Sequence, residues 1–402
     1  MVARRTGGVP GFLHDNLHAS AAAKCSSMKR SLLLVSLLLA AMVFLGACTQ
    51  NASSPAPPVT TESLPTPGES TAVPTSPSVP AGAVPTTATQ TPTVTQPSGT
   101  PDPAFLVDVN IPEKAWQGTT LFADNHDLTR PRIVEVNMQG EVTWEYVLPA
   151  DVKSYTNPGE DVEPLPNGNI LVLFPRKGVY EITKGKQIAW KYMDPKVSHD
   201  ADRLPNGNTL IAFGAFDTMD DMQVKEVNPR GELVWSWRAR DSFNRAPYLG
   251  ISAEGWTHTN AVTRLSNGNT LVSLRNFNLM AEVDPSGKLV RTIGEGIITE
   301  QHDPEVQPDG NILLMDLALP NAAIEMAPNG TILWRFPLPD PGTWPVRDAD
   351  RLPNGNTLIT AADRILEVTP GKEVVWQLRL ADVVFTDRQS AQNRGFYKAE
   401  RV

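Results

Sequence analysis

One short phrase, repeated along the chain, limits its fold more than any other feature. Leu204-Pro-Asn-Gly-Asn-Thr-Leu-Ile211 returns as LPNGNILV at 165–172, LSNGNTLV at 265–272, QPDGNILL at 307–314 and LPNGNTLI at 352–359. A degenerate first copy, WQGTTLF, occupies 116–122. The glycines at 118, 168, 207, 268, 310 and 355 set a period of roughly 40–60 residues. Asn-Gly or Asp-Gly between alternating apolar runs marks a hairpin, read here as a two-residue turn whose central residues both have φ > 0. A third strand follows each hairpin, for example 224–228, and a second turn at 229–231 leads to a fourth strand carrying a tryptophan. That tryptophan recurs as Trp144, Trp190, Trp235, Trp334 and Trp376, with Arg291 in its place in the fourth copy. Four antiparallel strands, six times over, predict an all-β fold: a six-bladed β-propeller spanning 104–402. The tryptophans are expected to fill the wedges between blades. The first copy lacks an innermost strand, which the segment Gly395–Val402 is expected to supply. Two insertions, Asp217–Asp221 and Ser242–Trp256, are candidate lids or rim loops.

The rest of the chain has different chemistry. Residues 28–48 read as a lipoprotein signal peptide: a basic Met28-Lys29-Arg30, a short apolar run from Ser31 to Leu45, and a Leu-Gly-Ala-Cys ending at Cys48 that is similar to a lipobox. Cys48 is the expected lipidation site. Residues 1–27 read as an upstream extension ahead of the true start. Residues 49–103 hold 13 of the chain's 36 prolines and no Lys, Arg or aromatic residue, so they read as a disordered linker. The expected protein is exported and lipid-anchored to a membrane surface. Its formal net charge of -9 argues against nucleic acid as a partner. Both cysteines, Cys25 and Cys48, precede the linker, so the propeller has neither disulfide nor thiol chemistry.

Candidate chemistry gathers at the start of the strand before each turn. The residue six before the turn proline, or its equivalent, is Glu160, His199, Asn260, His302 and Arg347 in successive copies. All are polar, and the shared position places them around one mouth of the ring. His258 precedes Asn260 by two, which period-2 alternation puts on the same face. A hairpin centred between Asn267 and Gly268 sets Asn260 opposite Arg275. His126 falls on the same face further out. The aspartates one step on, Asp161, Asp200, Asp303 and Asp348, alternate to the other side and read as structural caps for backbone N–H groups. Glu160 and Arg347 read equally as a ring-closing ion pair or as ligand-binding groups.

The segments HDADRLPNGNTLI at 199–211, WTHTN at 256–260, SLRN at 273–276 and QHD at 301–303 resemble bacterial aryl-sulfate sulfotransferases over the whole propeller. The closing FYKAER at 396–401 is similar to the end of shorter relatives of that family. The resemblance implies transfer of a sulfuryl group from a phenolic sulfate ester to a phenol, without 3′-phosphoadenylylsulfate and without any cofactor or metal. It implies a transiently sulfated histidine at His302, with His199, His258 and Arg275 as the other catalytic groups and Asn260 beside them. Larger family members carry an additional N-terminal β-domain where this chain has the linker. Absence of a GxxxxGK phosphate loop agrees with a donor that is not a nucleotide. Two other readings stand beside this one. An exported, non-catalytic propeller would bind a ligand or protein; a metal or quinone enzyme would use the three histidines as ligands.

Overall fold

A computed structural model describes residues 96–153, 160–318, 320–338, 345–381, 383, 385 and 394–402. The signal segment, Cys48 and the linker up to residue 95 lie outside the described residues. The strands form six antiparallel sheets, each packed against the next in a closed ring of blades, the propeller the repeats predict. From the axis outward, blade 2 is Asp161–Pro164, Ile170–Phe174, Gly178–Ile182 and Ile188–Met193. Blade 3 is Ala201–Arg203, Thr209–Ala212, Val224–Val227 and Leu233–Trp237, and blade 4 is Thr259–Arg264, Thr270–Leu274, Leu279–Val283 and Leu289–Ile293. Blade 5 is His302–Val306, Ile312–Asp316, Ala322–Met326 and Ile332–Pro337. Blade 6 is Val346–Arg351, Thr357–Ala361, Arg364–Val368 and Val374–Leu380, with Phe105–Asn110 added at its outer edge.

Blade 1 is closed by the far end of the chain. Phe396–Arg401 forms its innermost strand, ahead of Thr120–Asp124, Arg132–Val136 and Val142–Val147. Segment Phe105–Asn110 and the closing strand Phe396–Arg401 thus lie at the blade 6/blade 1 junction, the first on the outer edge of blade 6 and the second on the inner edge of blade 1. Gly395 makes the closing turn possible: its φ is +96°, and a Cβ there would lie 1.9 Å from the Ala362 carbonyl oxygen. Order also begins earlier than composition suggests. Thr100 pairs with Val142 on the outer edge of blade 1, and the Asp102 carboxylate meets Arg132 at 2.8 Å. An extended segment can satisfy an edge strand's unpaired backbone without a core of its own, so the last residues of the expected linker belong to the folded unit.

The repeated turn departs from the two-residue form. In Leu204-Pro-Asn-Gly, the Gly207 N–H donates to the Leu204 carbonyl and only the glycine is left-handed, at φ 84°. This is a type I turn with proline at its second position, followed by a glycine bulge. The two asparagines have separate duties. Asn206 Oδ1 accepts from the Asn208 backbone N–H at 2.9 Å, while Asn208 Nδ2 donates to Glu226 on the third strand at 2.6 Å. Equivalent asparagine–glutamate bonds recur at Asn169–Glu181, Asn269–Glu282, Asn311–Glu325 and Asn356–Glu367.

That glutamate belongs to a clasp between blades. Each outer-strand indole donates to a turn carbonyl of the next blade: Trp144 to Lys184, Trp190 to Pro229, Trp235 to Pro285, Trp334 to Pro370 and Trp376 to Met138. Over Trp144 the cation is Lys184, paired with Glu135; over the other four it is an arginine at the end of the next blade's inner strand, which reaches the glutamate. Arg264, for example, sits 5.1 Å from the Trp235 ring centroid and 2.7 Å from Glu226. Arg203, Arg351 and Arg401 repeat the arrangement. Between blades 4 and 5 both halves are gone together: Arg291 replaces the tryptophan and pairs within its own blade to Glu282, and Val306 replaces the arginine.

Candidate active site

The six inner strands present matching positions in tiers. The first tier is Glu160, His199, Asn260, His302, Arg347 and, from the closing strand, Tyr397. The second is Asp161, Asp200, Ala261, Asp303, Asp348 and Lys398. In blades 4, 5 and 6, and again at the closing strand, the ladder slips at this point: between Thr259 and Ala261, His302 and Glu305, Val346 and Asp348, and opposite Phe122 and Asp124. Bulges at strand starts re-aim side chains. Here they turn the first tier toward a common centre.

The first tier makes contact as a group. His199 stacks on His258, with ring centroids 5.2 Å apart, and on Tyr397 at 5.6 Å. The Arg347 guanidinium covers the other part of Tyr397, 4.7 Å from its centroid, and donates to its hydroxyl. Burial lowers Arg347 to about 10, with the Glu160 charge acting to raise it again. Glu160 is buried and accepts from Asn125 Nδ2 at 2.6 Å. Asn260 donates to the Gln301 carbonyl at 2.8 Å, while its buried Oδ1 has no partner among the described residues. That bond ties blade 4 to the peptide preceding His302.

Both buried histidines have a fixed tautomer. His302 Nδ1 lies 2.9 Å from the Glu300 carbonyl and His258 Nδ1 lies 3.3 Å from the Glu254 carbonyl. A carbonyl only accepts, so each Nδ1 carries the proton and each Nε2 carries a lone pair. Burial pushes His302 well below the ordinary imidazole value, and the Arg275 and Arg347 charges push it further. Burial does the same for His258, reinforced by His199 and Arg275. The result is two neutral imidazoles beside two guanidiniums, a set suited to an anion and a nucleophile together.

Arg275 reaches this centre by a different route from the one the hairpin predicts. The three-residue turn pairs Ala261 with Ser273 and Thr259 with Leu274, leaving Asn260 bulged. Arg275 is thus not opposite Asn260; it begins a 3-10 turn, Arg275–Phe277, just beyond the strand. That turn organises both flanking loops. Asn276 Nδ2 donates to the carbonyls of Ala253 and Gly255 at 2.7 and 3.0 Å, and Asn278 Oδ1 accepts from the Glu300 N–H at 2.8 Å. His258 likewise precedes the strand in a left-handed conformation, φ 47°, so simple alternation with Asn260 does not describe it. His126 is elsewhere: its Nδ1 pairs with Asp124 at 2.6 Å, and its ring is edge-on to Phe105.

A sequence model of the arylsulfotransferase (ASST) family matches residues 113–301. Over that stretch the chain is similar to the arylsulfotransferase family. The matched stretch contains His199, His258, Asn260 and Arg275 and ends one residue before His302. No curated protein matches the sequence. Among solved structures, the chain is similar to a protein of unknown function from Bacteroides caccae, at 20% identity, TM-score 0.49, and 66% and 94% coverage of this chain and that one. It is also similar to a streptogramin B lyase, at 12% identity, TM-score 0.44, and 68% and 86% coverage. A virginiamycin B lyase from Staphylococcus aureus matches at 13% identity, TM-score 0.44, and 69% and 89% coverage.

Two groups of this site escape the sequence reading. Tyr397 is one; Asp217, in an insertion read as a candidate lid or rim loop, is the other. The buried Asp217 carboxylate accepts from Thr257 Oγ1 at 2.7 Å, from the Thr257 and His258 N–H groups at 3.1 Å, and from Gln223 Nε2 at 3.0 Å. Gly255 permits the approach, since a Cβ there would lie 2.6 Å from Asp217 Oδ1. The second insertion contributes Phe243, Tyr248 and Trp256, which pack on Phe277 beneath Arg275. These insertions are scaffolding for His258 and Arg275. Asp217→Ala strips several buried donors of their acceptor at once and is expected to cost about 2–4 kcal/mol, read from the denaturation midpoint, with a larger fall in kcat than Asp217→Asn.

Proposed function

We propose that the protein is an exported, lipid-anchored aryl sulfotransferase that moves a sulfuryl group from a phenolic sulfate ester to a phenol through sulfated His302. The supporting observation is the pairing of a buried, neutral His302, its Nε2 lone pair fixed by the Glu300 carbonyl, with the cationic Arg275 and Arg347. In the first step Nε2 forms a bond to sulfur, the sulfur–aryl oxygen bond breaks, and a phenolate departs with the electron pair. Charge on the equatorial oxygens of so open a transition state falls to the guanidiniums. In the second step the acceptor phenol attacks the same sulfur, the S–N bond breaks, and Nε2 of His302 recovers its lone pair.

His258 has Nδ1–H engaged and Nε2 free, so it serves as a base that takes the acceptor's proton. That proton balances the phenolate released in the first step. Tyr397, held as neutral phenol by burial, and Arg347 lie where departing oxygen charge needs donors.

The test is a two-substrate assay with the metal-free protein, using 4-nitrophenyl sulfate as donor and phenol as acceptor. Expected are stoichiometric phenyl sulfate and 4-nitrophenolate, ping-pong kinetics, and an acid-labile sulfated peptide containing His302. Loss of turnover on chelation would favour the metalloenzyme reading instead, and absence of any turnover the binding propeller.

A further inference from the structure

Glu254 and Glu300 occupy matching places on the two sides of Arg275. Each lies shortly before a catalytic histidine, each has a left-handed backbone (φ 56° and 45°), and each gives its carbonyl to the Nδ1 of that histidine. Their carboxylates then turn to the arginine: Glu254 Oε2 is 3.7 Å from Nη1, and Glu300 Oε2 is 3.5 Å from Nη2. Those separations exceed the usual range of a charge-assisted hydrogen bond. The structural pairs of the blade clasps are shorter, from 2.6 Å for Arg351–Glu325 and 2.7 Å for Arg264–Glu226 to 3.2 Å for Arg203–Glu181 and 3.3 Å for Arg401–Glu367. Both loose glutamates stay about half exposed, 56% and 47%, while Arg275 is 14% exposed and its buried Nε has no partner among the described residues. Arg275 keeps donor capacity for another anion while two carboxylates stand beside it.

The charges facing the centre then matter. Arg275 and Arg347 are positive; Glu254, Glu300 and Glu160 are negative; His258 and His302 are neutral. A sulfate monoester brings one negative charge at every working pH, whereas a phosphate monoester or free sulfate brings two. We propose that Glu254 and Glu300 set the charge selectivity of the site, admitting monoanionic sulfate esters and turning away dianions. The second negative charge of a dianion meets both carboxylates at short range, where the local dielectric is below that of water. This rests on the sulfate-ester reading of the site. It would keep phosphate esters out and hasten release of inorganic sulfate.

The experiment is equilibrium binding to the full-length protein with phenyl sulfate and phenyl phosphate, which share shape and differ in charge. At about pH 8 the parent is expected to bind phenyl sulfate at least ~10-fold more tightly, one added charge at this range being worth roughly that factor. At about pH 5 phenyl phosphate becomes a monoanion, its second pKa being near 6, and the gap should narrow. In the Glu254→Gln/Glu300→Gln double variant the preference at pH 8 should fall to within ~3-fold through a gain in phosphate affinity. Equal binding of both esters by the parent at pH 8, binding of neither, or an unchanged preference in the variant overturns the proposal. Turnover of 4-nitrophenyl sulfate is read separately: discrimination without turnover removes the transfer chemistry and leaves the selectivity, and turnover without discrimination does the reverse.

Discussion

Replacing His302 with alanine is expected to lower sulfuryl transfer by at least about a thousandfold, because in the proposed mechanism it deletes the atom that forms the S–N bond. The neighbours that remain cannot substitute for it. His258 also has a free Nε2, but its ring is stacked against His199 and its backbone is held by Asp217, so it is not free to reach sulfur in the same line. His302→Gln should fare no better, since an amide hydrogen-bonds but does not attack sulfur. Donor affinity should survive in both variants, because the proposed anion contacts to Arg275 and Arg347 remain. The measurements are initial rates with 4-nitrophenyl sulfate and mass analysis after acid-free quench. Retention of rate within tenfold, or a sulfated adduct at another residue, would remove His302 from the mechanism. A pH profile adds a second handle. Burial and the two guanidiniums hold His302 in its free-base form well below the ordinary imidazole range. The acid limb of the donor half-reaction should therefore fall below the usual histidine value, visible as a burst of 4-nitrophenolate that persists in mildly acid buffer.

The ring of blades was legible because it rests on local chemistry repeated six times. A proline-asparagine-glycine turn is dictated by the backbone, and the apolar strand after it is dictated by burial. Five first-tier residues follow from the same count, and so does the capping role of three of the four next aspartates: Asp161, Asp200 and Asp348 accept the N–H groups of Ala201, Val262 and Ala399 on the neighbouring blade, whereas Asp303 meets the Lys398 ammonium at 3.2 Å. The sixth position had a signal too. Tyr-Lys-Ala-Glu-Arg at 397–401 matches His-Asp-Ala-Asp-Arg at 199–203 and Arg-Asp-Ala-Asp-Arg at 347–351, so the final arginine of the clasp fixes Tyr397 in the first tier. What the sequence did not reveal depends on long-range contact. The bulge at Asn260, the brace from Asp217 across 41 residues to His258, and the glutamates flanking Arg275 have no periodic counterpart in other blades. One register error, centring the turn half a residue too late, was enough to misplace Arg275 relative to Asn260.

The second tier carries the largest expected effect on stability. Lys398, from the closing strand, meets Asp161 of blade 2 at 3.3 Å and Asp303 of blade 5 at 3.2 Å. Burial alone would lower this ammonium, and the surrounding carboxylates hold it well above the ordinary lysine value. Burial and mutual repulsion push Asp200, Asp202, Asp348 and Asp350 well above the usual carboxylate range, whereas Lys398 offsets burial at Asp303 and holds it low. Two more carboxyls stay protonated far up the scale, Glu163 to about 7 and Glu400 to about 8, burial being the main cause in each. Removing the one cation while leaving its partners buried is the costly half of breaking an ion pair, so Lys398→Met is expected to lose about 3–5 kcal/mol at neutral pH. The sign of the pH dependence is fixed by those raised carboxyls. Between the unfolded value, near 4.5, and 7 to 8, the folded protein binds protons that the unfolded chain has released, so stability falls as pH rises through that window. Without Lys398 the ionised carboxylates repel without relief, and the deficit of Lys398→Met should be larger at pH 8 than at pH 5. Glu400→Gln should flatten the parent's decline, because it removes one of the groups that titrates there. Denaturant unfolding of the three proteins at both pH values decides the matter: a deficit for Lys398→Met that is below about 1 kcal/mol, or equal at the two pH values, would mean that the closing strand is held by its backbone ladder and clasp alone.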